Sequence, residues 1–162
     1  MLIDQMTTIK TPEESYPVIC TLNVLEYIQN KYGTIERFEQ LVSGMIPDGA
    51  DEEKKTKYKI TPINVSALLD GLTVMINEGL DIKGGRTEGY FPFESKHVAR
   101  IMRAAGLSLA DTAGIVLEEL TECILPKNAE SAQKKQTGKQ SKSILRGFSL
   151  LEKIFSIIRK RK

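Results

Sequence analysis

Two cysteines, one histidine, several carboxylate pairs and a glycine-rich loop are the features of this 162-residue chain whose residue types could do chemistry. Cys20 and Cys123 each sit in an apolar setting, outside any CxxC or Cys/His cluster, and read as reduced core residues rather than as metal ligands or a disulfide. His97 is the sole histidine, so no site built on two histidines can form, and its neighbours Glu94 and Arg100 are the company of an exposed residue with no partner nucleophile. Glu52 with Glu53 and Glu118 with Glu122 could in principle hold a divalent cation, yet a charged loop and an amphipathic helix give them the setting of solvated faces. Gly84, Gly85 and Gly89 surround Arg86 and Glu88, but the spacing fits neither GxxxxGK[ST] nor GxGxxG and no clear strand precedes it, so a flexible turn is expected instead of a phosphate cradle. The expectation is a protein without catalytic residues, metal or cofactor.

The elements that would position these residues are helical in pattern. The central one covers residues 61–79, where Val65, Leu68, Leu69, Leu72, Met75 and Ile76 form a single apolar stripe. Thr61 and Pro62 suit its start and Gly79 its end, while Gly71 marks a place where another helix could pack closely. Asn64, Asp70, Thr73 and Asn77 make a polar side expected to face solvent or a partner, where Asp70→Lys should be tolerated.

Before the central helix, residues 1–20 with Pro12 and Pro17 read as an extended arm whose last part, Val18 to Cys20, lies against the core. Thr21 caps a first helix carrying Leu22, Leu25 and Ile28 on one face, flanked by Tyr27 and Tyr32 and stopped by Gly33. Thr34 caps a second with Ile35, Phe38, Leu41 and Val42, closed by Gly44. Residues 45–59 read as a solvated loop. Beyond a second loop, residues 95–105 with Val98, Ile101, Met102 and Ala105 form a fourth helix ended by Gly106, and Ser108 with Asp111 opens a fifth carrying Ala113, Val116, Leu117, Leu120 and Ile124. The fold class expected is all-α: a five-helix orthogonal bundle over residues 21–126 with two long loops.

Charge divides the chain. Residues 127–162 carry 11 Lys and Arg against Glu130 and Glu152, a net of +9, whereas residues 1–126 carry 12 basic and 19 acidic residues, a net of −7. Residues 127–142 are Lys-, Gln- and Ser-rich and read as a flexible linker. Residues 143–162 resume helical periodicity, with Ile144, Phe148, Leu151, Ile154, Phe155 and Ile158 apolar and Arg159 and Lys160 in the basic end. These eight are the partner-binding residues the pattern suggests. An apolar face opposite basic residues suits a partner's helices, self-association, the acidic body of the same chain, a membrane surface or nucleic acid. No stretch reaches 18 apolar residues and the first residues lack a signal-peptide pattern, so a cytoplasmic protein without a membrane span is expected.

The segment 98–120, helix, Gly turn, helix, also has the outline of a helix-turn-helix, which makes a small DNA-binding regulator the alternative function. Against it, the second helix presents Asp111, Glu118 and Glu119, with no Lys or Arg between Leu107 and Pro126, and phosphates repel such a face.

Taken together, TLNVLEYIQNKYGTIERF, then ALLDGLTVMINEGLDI, then FPFESKHVARIMRAAGLSLADTAGIVLEEL, within residues 18–125, resemble the tail assembly chaperones of long-tailed bacteriophages and related prophages. The resemblance lies in the opening helix with its Asn, Glu and Gly, and in the closing helix, Gly break and helix. It implies a small α-helical protein that binds without chemistry, coating the tape-measure protein or contacting tail-tube subunits during virion assembly. Members of that family are often made in two lengths by ribosomal frameshifting, the longer adding an extension that contributes to tape-measure binding, and residues 127–162 occupy the place of such an extension.

Overall fold

The computed structural model describes residues 6–48, 57–84 and 92–125. Its elements run β1 (Thr7–Lys10), β2 (Ser15–Val18), α1 (Leu22–Tyr32), α2 (Ile35–Ser43), β3 (Met45–Asp48), β4 (Lys57–Ile60), α3 (Val65–Gly84), α4 (Ser95–Ala104) and α5 (Leu109–Ile124). The five expected helices are present, but β1 pairs antiparallel with β2 and β3 with β4. The fold is mixed α/β, which overturns the all-α expectation.

Each missed ribbon has a local cause. The N-terminal segment is no unpaired arm, because Pro12 follows Thr11 in a tight turn: the Thr11 N–H donates to the Glu14 carbonyl at 2.8 Å and the Glu14 N–H to the Thr11 hydroxyl at 3.0 Å. Proline at the second position of a four-residue turn is pre-set for that geometry. The hairpin then buries Ile9 and Val18 against the core, and β2 packs on α3. The second ribbon begins at Gly44, which ends α2 in the left-handed region (φ 67°) and whose carbonyl accepts from the Thr61 N–H at 2.7 Å. A side chain at Gly44 would run into the Thr61 carbonyl, so the close approach that starts the ribbon needs glycine. In each four-residue strand of this ribbon only one residue is even half-buried, so no alternation betrays it.

α3 is the element the others share, packing against β2, α1, α2, α4 and α5. It starts later and ends later than its composition suggests. Asn64, not Thr61, is the cap: its Oδ1 accepts from the Ala67 N–H at 3.0 Å. Gly79 does not stop the helix, since its missing side chain is used for contact with the Pro17 backbone, where a Cβ would lie 2.9 Å from the carbonyl oxygen. Gly71 plays the same part for the Phe38 ring, which occupies the space a Cβ would need. The buried set is therefore Ala67, Leu68, Gly71, Leu72, Thr73, Met75, Ile76 and Gly79, rotated from the expected stripe, and Val65 is exposed.

The supposed polar side of α3 is turned inward to tie elements together. Asn77 donates from Nδ2 to the Phe93 carbonyl at 3.0 Å and accepts from the Phe93 N–H at 2.8 Å, which fixes the approach to α4. Thr73 is buried and donates to the Leu69 carbonyl at 2.6 Å. On α1 the buried residues are Val24 and Ile28, a pair one turn apart, while Leu22 at the first position is 78% exposed. α2, α4 and α5 bury most of the apolar residues expected of them: Phe38 and Val42, then Val98, Ile101 and Met102, then Ala113, Val116, Leu117 and Leu120, with Ile35, Leu41, Ala105 and Ile124 half-buried.

Candidate interaction surface

Of the residues with chemical potential, the structure commits several to holding the fold. Asp70, on α3, gathers α1: its Oδ1 accepts from the Lys31 ammonium at 2.7 Å and from the Tyr27 hydroxyl at 3.0 Å, and its Oδ2 from the Tyr32 hydroxyl at 2.9 Å. The Lys31 ammonium also stands 5.5 Å from the centre of the Tyr27 ring and 5.8 Å from that of Tyr32. The Asp70 bond holds the lysine well above its usual range, and burial, then Asp70, pushes the Tyr32 hydroxyl up to about 12. Lys31 and Tyr32 keep their protons across the neutral range and clasp α1 to α3. His97 is committed too, its Nδ1 accepting from the Glu94 N–H at 3.2 Å to close the start of α4.

A second knot joins the hairpin, α1, α3 and α5. The Cys20 N–H donates to Glu119 Oε2 at 3.3 Å, and Glu119 also meets the Thr7 side chain. Burial raises the Glu119 carboxyl, with Glu122 and Glu118 adding to it and the bonds from Thr7 and Cys20 opposing. Thr21, at the cap position of α1, makes no cap bond with its hydroxyl, which instead donates to Glu78 Oε1 at 2.6 Å, and Asn23 Nδ2 donates to the same oxygen at 3.2 Å. Both cysteines are free thiols, Cys20 buried and Cys123 half-buried. Among the described residues no group of three or more His, Cys, Asp or Glu is placed to hold a metal ion.

The outward surface differs between its parts. α5 exposes Asp111 and Glu118 and turns its apolar side, with Thr112 and Glu119, into the core, so the second helix of the supposed helix-turn-helix meets solvent with acid. The β3–β4 ribbon packs on the core through Met45 and Tyr58 and exposes the rest: Ile60 is 84% exposed, Ile46 is exposed, and Lys57 and Lys59 flank them. Met45 pairs with Ile60 and Ile46 with Lys59, so the two isoleucines point to opposite sides, Ile60 on the side of Met45 and Tyr58. No third strand joins it among the described residues.

The tail residues Ile144, Phe148, Leu151, Ile154, Phe155, Ile158, Arg159 and Lys160 lie outside the described residues. So do the linker 127–142, the loop holding Gly85, Arg86, Glu88 and Gly89, and the carboxylates Glu52 and Glu53. Sequence reasoning missed the β3–β4 ribbon and the buried carboxylates Glu39 and Glu119. Glu119 had a signal available, since it lies three residues after Val116 and so close to the apolar stripe of its helix. No helix among the described residues is long and apolar enough to cross a membrane. Neither a family model nor a curated protein nor a solved structure matches the chain.

Proposed function

We propose that the chain is a non-enzymatic tail assembly chaperone or adaptor of a bacteriophage or prophage, working in the host cytoplasm and binding the tape-measure and tail-tube proteins during virion morphogenesis. The observation that carries this reading is the assembly of the three resembling segments into one body. The opening pair α1 and α2, the central α3 and the closing pair α4 and α5 pack on one another, with Gly33 and Gly106 at the two helix ends in positive φ. A body held by a shared helix and internal clasps suits a protein whose work is recognition. The division of charge adds to it, because residues 127–162 of net +9 following residues 1–126 of net −7 offer a partner two unlike stretches of chain.

Co-expression of the full chain with the tape-measure protein of the same genome tests the reading. The expected result is co-purification of the two, with more tape-measure protein in the soluble fraction. Failure to co-purify, with no change in solubility, overturns it.

A further inference from the structure

The only two cysteines of the chain, 103 positions apart in sequence, meet in the fold. Cys20 sits just after β2, and its N–H is held by Glu119 on α5 at 3.3 Å. Cys123 follows Glu119 by four residues on the same helix, one turn on and on the same side, and its thiol interacts directly with that of Cys20. The contact therefore joins the junction of hairpin and α1 to the last turn of the last described helix. Besides that contact, the Cys20 thiol donates to the Thr21 carbonyl at a long 3.9 Å.

We propose that Cys20 and Cys123 are a modification site: under peroxide they close into an intramolecular disulfide that pins the hairpin to the C-terminal end of α5. Cys123 is the half-buried partner and takes the oxidant. Its sulfur attacks one oxygen of hydrogen peroxide, the O–O bond breaks, and a sulfenic acid and one water result. The Cys20 sulfur then attacks the Cys123 sulfur, the S–S bond forms as the S–O bond breaks, and the hydroxyl leaves with the Cys20 proton as a second water. Two thiols are oxidised and one peroxide is reduced. Burial raises the Cys20 thiol, with Cys123, Glu119 and Glu78 adding to it, and burial raises that of Cys123 as well, so few thiolates exist at neutral pH. The reaction is accordingly slow at neutral pH and faster as pH rises.

The test is treatment of the full-length reduced protein with hydrogen peroxide, followed by intact mass and a non-reducing tryptic map. The expected product is monomeric, lighter by two hydrogens, and joins the peptides covering residues 11–31 and 104–127. Because the link closes most of the body into one loop, Tm is expected to rise by about 5 °C or more and to fall back on reduction. Cys123→Ser, at a half-buried position, should melt like the reduced protein and show no peroxide-induced rise. Disulfide-linked dimers, or Cys123 oxidised to a sulfinic acid while Cys20 remains a thiol, would overturn the proposal. A link formed without a rise in Tm would overturn the claim that it pins the native fold.

Discussion

Asp70 and Glu39 are both carboxylates on helices, and the fold treats them oppositely. Asp70 accepts three hydrogen bonds from α1, so Asp70→Lys would set a second ammonium beside Lys31 and leave two tyrosine hydroxyls without their acceptor. A loss of about 2 kcal/mol is expected, read as a lower urea midpoint, in place of the tolerance that its position in the sequence suggests. Glu39 is 7% exposed, and burial, with Glu36 one turn earlier, pushes its carboxyl from 4.5 up to about 7. The native state therefore holds a proton that the unfolded chain has released between those values. Stability from this group is complete below pH 4.5, falls as pH rises toward 7 and is flat above it. The total is up to about 3 kcal/mol. Glu39→Gln should remove that part of the slope and melt higher than the parent at pH 8, as thermal scans over pH 4 to 8 would show. Neither residue's role was legible in sequence. Asp70 lies on the polar side of its own helix, and only the arrival of Tyr27, Tyr32 and Lys31 from α1 decides where that side points. Glu39 stands next to Phe38 in the sequence, on a helix whose exposed positions, Glu36 and Arg37, are charged as well.

α3 shows at the level of elements what small residues accomplish. Phe38 reaches the helix backbone because position 71 has no side chain, and Pro17 does so at position 79. Gly71→Ala should destabilise by about 1–2 kcal/mol, the overpacking against the ring exceeding the gain of about 1 kcal/mol in helix propensity. In a Phe38→Leu background the same change should cost little, and a double-mutant cycle in denaturant measures the difference. The close approach at Gly71 was legible from a glycine inside a strong helical stripe. The role of Gly79 was not, because a glycine near the end of a periodic stretch is also what a helix stop looks like. Helix existence and the caps at Thr34 and Ser108 follow from local chemistry, with Arg37 and Asp111 N–H groups donating to the two hydroxyls at 3.1 Å each. The ribbons depend on pairing between strands of four residues, and a turn such as Thr11-Pro12-Glu13-Glu14 is their one local mark.

Across the whole molecule, the buried apolar side chains of the described residues run from Ile9 to Leu120 and close one core around α3. A chain ending after Leu125 should therefore melt within about 2 °C of the full-length protein, as calorimetry would show, and a clear drop would mean that the basic tail completes the body. The proposed function assigns the tail to a partner. The most direct measurement of that claim compares co-expression of the tape-measure protein from the same genome with the full chain and with the chain ending after Leu125. The account predicts that the full chain co-purifies with the tape-measure protein and raises its soluble fraction, and that the shortened chain, folded and equally abundant, does neither. Equal behaviour of the two chains, whether both capture the tape-measure protein or neither does, would contradict it.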